Sequence, residues 1–161
     1  MNIRALILSF SVFFIMFNWA PSAYSATYNV TDNNGGNVVS SLHAAIILAN
    51  ANAGTDTITF SASVNSIVLT ADLPAITETL TITGPGQTNL TISGNGSYSM
   101  FDNQTNGVTL TASDLTLTNS KYVSSGGGIL MNSNNAHFVA NNITVSGVTN
   151  SYAFYGKNAN T

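Results

Sequence analysis

Short alternations of hydrophobic and polar residues fill the chain from residue 56 onward. Runs in which every second position is apolar are separated by Gly, Asn, Ser and Pro. A period of two between such turn residues is typical of half-buried β-strands. Two of these runs are nearly identical, since residues 80–84 read LTITG and residues 90–94 read LTISG. This echo indicates that short strands form a repeating structural unit.

The chain also resembles itself at a fixed distance. Residues 108–119 align without a gap on residues 136–147 at an offset of 28. The same offset places Leu80 on Val108, and after three extra residues within 84–89 an offset of 25 places Leu90 on Leu115. A fainter copy has strands at 57–60 and 67–70, and third strands are predicted at 100–101, 128–131 and 153–155. Such a repeat predicts an all-β fold, a parallel β-helix (solenoid) of about four coils.

Alternation along each strand separates core positions from surface positions. The predicted stack inside the β-helix consists of Ile82, Leu110 and Phe138. The hydroxyl residues between the apolar positions are predicted to face outward. Outward residues of the second strands form a ladder two wide and three high, called here the hydroxyl ladder: Thr91, Ser93, Thr116, Thr118, Thr144 and Ser146. A second array is predicted from Thr57, Thr59, Thr81, Thr83, Thr109 and Thr111.

One segment of the chain after residue 25 has helical spacing instead. Ser40 or Ser41 can act as its N-cap, and Gly54 occupies the place of a C-terminal glycine. We expect this helix to plug the N-terminal end of the β-helix, because an open solenoid end exposes unpaired strands. Its apolar face is predicted to hold Leu42, Ala45, Ile46, Ala49 and Ala53.

The first 25 residues differ from the rest of the chain. Arg4 precedes an apolar run, and a small polar segment ends in Ala-x-Ser at Ser25. This pattern predicts a secretory signal peptide cleaved between Ser25 and Ala26. The predicted organisation is therefore a signal peptide (1–25), an N-terminal strand and capping helix (26–55) and β-helix coils (56–161). No second plug follows Tyr155, so we expect a truncated C-terminal end or self-association through that edge.

Charge is scarce in the predicted mature chain. Lys121 and Lys157 stand against six acidic residues, so the net charge becomes −4 (2 minus 6). Because there is no basic patch to neutralise phosphates, nucleic-acid binding is not expected. The chain has no cysteine, which excludes disulfides and thiolate metal sites. Surface polarity must come from hydroxyl and amide groups.

Several motifs resemble those of one protein family. Residues 41–46 (SLHAAI), 49–60 (ANANAGTDTITF), 73–76 (LPAI) and 80–86 (LTITGPG) are similar to the N-terminal region of bacterial exported right-handed β-helix proteins. That family usually carries Arg and Glu where this chain has His43 and Ala44. Further residues resemble Gly-Gly-Ala-Ile and Phe-x-x-Asn repeats of polymorphic outer-membrane proteins, which are autotransported adhesins: Gly126, Gly127, Gly128, Ile129, Phe138 and Asn141.

The resemblance implies a secreted or outer-membrane surface protein, often with a role in adhesion, and does not by itself identify a ligand. Our leading hypothesis is a module for structural display or adhesion, with a glycan or a host surface as its partner. From the residues themselves, we expect no catalytic residue, metal or cofactor, and no membrane span in the mature chain. One alternative is the N-terminal part of a pectate-lyase-like enzyme whose catalytic coils lie further along. Another is ice binding by the threonine arrays, although threonine also suits any outward strand position.

The remaining polar groups are interpreted as structural. Asp72 and Glu78 are the best acidic pair, but calcium requires six or more oxygens, so the acidic residues are expected to be solvated at turns. His43 and His137 have no catalytic spacing. The glycine run 126–128 is expected to form a tight corner.

Overall fold

A computed structural model of the chain describes residues 23–121, 127–132, 135–149 and 152–156. It is an all-β parallel β-helix of about four turns with one short helix, as the repeat predicts. The described elements are β1 (Thr27–Val30), β2 (Asn34–Gly35), α1 (Leu42–Ala51), β3 (Asp56–Phe60), β4 (Ser66–Leu69), β5 (Leu80–Thr83), β6 (Thr91–Ser93), β7 (Phe101–Asn103), β8 (Thr109–Thr118), β9 (Gly127–Asn132), β10 (His137–Ser146) and β11 (Tyr152–Gly156).

Two parallel sheets form the sides of the β-helix. The larger sheet runs β1-β3-β5-β8-β6-β4-β2, with β10 also paired to β8. Strand β8 is long enough to belong to two sides of the coil, because it pairs with β5 through its first half and with β6 through its second half. The smaller sheet, β11-β9-β7, forms the third side and confirms the predicted third strands.

Corners within the long strands are made by single residues. Asp114 in β8 has φ of 57° and Asn142 in β10 has φ of 50°, so each turns the chain in the left-handed region. Asn142 Nδ2 donates to Asp114 Oδ1 at 2.6 Å. Asn and Asp tolerate this conformation better than most residues, which explains a corner without glycine.

The predicted registers are partly confirmed. Thr109 pairs with His137 at the expected offset of 28, and Thr91 pairs with Thr116 at the expected offset of 25. Thr81, however, pairs with Thr111, so the offset between β5 and β8 is 30 rather than 28. The loop 84–89 therefore adds five residues (30 minus 25), not three. A slip of two keeps every side chain on its own face, so alternation could not detect it.

This register changes the predicted core stack. Leu80, not Ile82, lies beside Leu110, and Leu110 lies beside Phe138. Leu80 and Leu110 are buried, while Phe138 is half-buried on the last described rung. Ile82 is buried against the rung of Ala112.

Helix α1 covers the N-terminal end of this core, as expected. It contacts β1, β2 and β3, and its buried residues are Leu42, Ala45, Ile46 and Ala49. Burial of Leu42 and Ile46 contributes about 1.5 to 3 kcal/mol each. The prediction for Ala53 was wrong, because the helix ends at Ala51 with Asn52 as C-cap and Ala53 is exposed.

Candidate functional site

The hydroxyl ladder is assembled by three adjacent strands, β6, β8 and β10. Thr91, Thr116 and Thr144 lie in register in one column, and Ser93, Thr118 and Ser146 lie in register in the next. The rows of β6 and β8 are half-buried, whereas the β10 row is exposed. Parallel pairing brings these six residues together, although they are up to 55 positions apart in the chain (146 minus 91).

Some ladder hydroxyls bond within the protein. Ser146 Oγ donates to Thr118 Oγ1 at 3.0 Å, which links two rungs. Thr116 Oγ1 donates to the Gln87 carbonyl oxygen at 2.9 Å and ties the ladder to the loop 84–89. Ser93 Oγ accepts the Asn95 N–H at 3.2 Å. These bonds hold four of the six ladder hydroxyls in position, those of Ser93, Thr116, Thr118 and Ser146.

A groove lies beside the ladder. It encloses about 380 Å³ and is lined by Ala62, Asn65, Pro85, Thr88 and Asn89, none of which is charged. The Asn65 carbonyl oxygen accepts the Thr91 N–H at 3.0 Å, so the groove adjoins the first ladder row.

The lining of this groove is held by local hydrogen bonds. Asn89 Nδ2 donates to the Pro85 carbonyl oxygen at 2.9 Å, and Thr88 Oγ1 donates to Asn89 Oδ1 at 3.4 Å. Groove and ladder together form an uncharged surface of amide and hydroxyl groups that can bond to polar, uncharged ligands.

The second threonine array differs from its prediction. Thr27, Thr57, Thr81 and Thr111 are in register and are called here the threonine column. Thr109 pairs with His137 instead and does not join them. The misplacement follows from the two-residue error in the β5 to β8 register.

The family-like motif residues occupy different environments. Ile129 is buried, Asn141 is exposed, and the ring of Phe138 packs against Phe154 with centroids 5.7 Å apart. Gly127 and Gly128 begin strand β9, which corrects the expectation that the glycine run forms a corner. Gly126 lies outside the described residues.

The expectation that the acidic residues are solvated is wrong for Asp56. Asp56 is 0% exposed and shares the inward face of β3 with Ile58 and Phe60. Its Oδ1 accepts the Ala26 N–H at 2.7 Å and Asn52 Nδ2–H at 2.8 Å. Its position in the alternation was the available signal, because residues 56, 58 and 60 share a face.

Asp56 also affects a nearby phenol. Tyr28 is half-buried in β1 and donates from Oη to the Leu48 carbonyl oxygen at 3.2 Å. Burial, followed by the negative charge of Asp56, raises the pKa of Tyr28 above its ordinary value. Sequence reasoning missed the whole cluster, since its members come from separate elements.

The other candidate groups are dispersed. Asp72 Oδ1 accepts the N–H and the hydroxyl of Ser99, which joins two coils. His43 is half-buried and His137 is exposed. Within the described ranges, no three His, Asp or Glu side chains form a metal-binding group. No helix in the part of the chain that the structure describes is both long and apolar enough to cross a membrane.

Comparisons with protein-family models, with curated proteins and with solved structures found no match.

Proposed function

We propose that this protein is a non-enzymatic, exported β-helix module of a bacterial secreted, cell-surface or outer-membrane protein, and that it serves structural display and adhesion to a neutral glycan. The uncharged groove beside the hydroxyl ladder supports the proposal most strongly. Its amide and hydroxyl groups match the hydroxyls of a neutral sugar in kind, and they are already positioned by internal bonds. A pre-ordered surface lowers the entropy cost of binding.

The low charge of the chain favours a neutral sugar over a uronic acid. Acid sugars need cationic partners, and the predicted mature chain has only Lys121 and Lys157. A lyase of acidic polysaccharides would also need grouped carboxylates for calcium and a base for proton abstraction.

A glycan panel tests the proposal directly. We expect saturable binding of the folded chain to at least one neutral glycan, and Thr91→Val is expected to weaken it about fivefold, since a hydrogen bond contributes about 1 kcal/mol. Thr81→Val is the matched control, because Thr81 is also half-buried and lies on β5 of the same coil, outside the ladder.

Two results would contradict the proposal. The first is an absence of saturable binding across the panel by the folded chain. The second is formation of unsaturated product, detected by ultraviolet absorbance, when the chain is incubated with polyuronic acids and calcium.

The threonine column supports ice binding as a second candidate, because it places four hydroxyl residues in register on one face. Thermal hysteresis measurements separate the two candidates. Ice binding requires hysteresis that Thr81→Val reduces and Thr91→Val leaves unchanged, which is the reverse of the pattern expected for glycan binding.

A further inference from the structure

Asp56 is a fully buried carboxylate, and the donors bonded to it among the described residues are uncharged. The Ala26 N–H and Asn52 Nδ2–H both reach Oδ1, at 2.7 Å and 2.8 Å. Among the described residues, Oδ2 is buried and has no hydrogen-bond partner. A buried carboxylate without a cation is costly, so a positive charge at this position would be strongly favoured.

The nitrogen closest to this carboxylate is the one that the predicted processing would release. Hydrolysis of the Ser25–Ala26 peptide bond by a signal peptidase adds the water oxygen to the Ser25 carbonyl carbon, which becomes a carboxylate. The Ala26 nitrogen becomes an amine that takes up a proton at neutral pH. The resulting ammonium group has three hydrogens where the peptide had one, so it can also donate to Oδ2.

We propose that cleavage after Ser25 creates an α-ammonium group on Ala26 that forms a buried ion pair with Asp56 and fastens the mature N-terminus to the first coil. This inference rests on the export proposed above. Ala26 is already fixed at this place, because its carbonyl oxygen accepts the Thr57 N–H at 2.8 Å.

The groups around Ala26 and Asp56 are compatible with replacement of the Ala26 peptide N–H by an ammonium group. In the uncleaved chain, the Tyr24 N–H donates to the Ala53 carbonyl oxygen at 2.8 Å, and the Tyr24 carbonyl oxygen accepts Asn52 Nδ2–H at 2.5 Å. Cleavage removes Tyr24, and Asn52 keeps Asp56 as its partner. Tyr28 is neutral at pH 7, because its pKa lies above an ordinary value that is already about 10, so it places no second anion beside Asp56.

A thermodynamic cycle tests the ion pair without relying on export in the cell. Four chains are compared by urea unfolding at pH 7: those beginning at Ala26 or at Ser25, each with Asp56 or with Asp56→Asn. We expect the added Ser25 to raise the unfolding equilibrium constant at least about tenfold, or about 1.4 kcal/mol, when Asp56 is present. In the Asp56→Asn chains, adding Ser25 is expected to change the unfolding equilibrium constant by less than about twofold, since residue 56 then carries no negative charge to pair with the ammonium group. An equal effect in both backgrounds would overturn the ion pair.

A second measurement remains valid if Asp56→Asn fails to fold. NMR titration of the chain beginning at Ala26 is expected to give its α-amine a pKa above the ordinary range of about 7.7 to 8.0. An ordinary value would overturn the proposal. N-terminal sequencing of the exported protein is the separate test of processing, and a terminus other than Ala26 would overturn the cellular part of the inference. Glycan binding by these chains reports on the proposed function independently.

Discussion

Gly84, at the end of the LTITG segment, shows how closely the coils pack at a single residue. A Cβ atom there would overlap the Asp114 carbonyl oxygen and lie 2.9 Å from Leu115 Cβ. Gly94, at the end of LTISG, has the same constraint, because a Cβ atom there would lie 2.5 Å from the Tyr98 carbonyl oxygen. Residues 84 and 94 must therefore be glycine, because any Cβ atom would overlap the neighbouring backbone.

We expect Gly84→Ala to lower the free energy of unfolding by about 2 to 3 kcal/mol, because overpacking against rigid backbone forces the coils apart. Gly96→Ala is the control, because Gly96 has φ of +63° and a Cβ atom there would meet no described atom within 4 Å, so only backbone strain of about 1 kcal/mol applies. Urea denaturation measures both changes. Equal losses would show that packing at Gly84 is not the cause.

At the scale of elements, α1 depends on its cap. Ser41 is fully buried, and its Oγ accepts the Ala44 N–H at 3.2 Å and the Val38 N–H at 3.4 Å. The sequence left Ser40 and Ser41 as equal candidates. The fold decides between them, because Ser40 has φ of 67° and uses its carbonyl oxygen to accept the N–H groups of Thr31 and Asp32.

Ser41→Ala is expected to destabilise the protein by about 1 kcal/mol through loss of the helix cap. Ser40→Gly is expected to be neutral or slightly stabilising, since glycine adopts positive φ without strain. Thermal unfolding followed by circular dichroism compares the two variants. The reverse order of stabilities would assign the cap to Ser40.

The hydrophobic pattern predicts some strand registers and not others. The offset of 28 between β8 and β10 could be predicted because the two segments align without a gap and each carries its own corner residue. The offset between β5 and β8 could not, because the loop 84–89 differs in length from a one-residue corner and a slip of two preserves alternation. The number of residues in the loop 84–89 depends on the route that the chain takes from β5 to β6.

At the scale of the whole molecule, the first and the last described coils differ. Helix α1 covers the first coil, whereas in the described ranges β10 pairs only with β8 and β11 only with β9. Val139 and Phe154 on these strands are 41% and 44% exposed. An open strand edge with exposed apolar side chains favours pairing with another chain.

We therefore expect the chain of residues 26–161 to sediment as concentration-dependent dimers or larger species, and Asn141→Lys to shift it toward monomer, because lysine on an edge strand opposes pairing. Ser113→Lys is the matched control, since Ser113 is the register partner of Asn141 one rung inside the edge. Analytical ultracentrifugation distinguishes them. A monomer at all concentrations, or equal effects of both lysines, would argue against association through this edge.

The sequence by itself determined the parallel β-helix, its N-terminal helix and the hydroxyl ladder. These depend on local alternation and on a repeat, which are visible in one dimension. Only the tertiary structure decided the register of β5, the end of the helix at Ala51 and the hydrogen bond between Ala26 and Asp56. These features depend on contacts between residues that are far apart in the chain. The length of an intervening loop or the position of one buried charge changes those contacts without changing the local pattern.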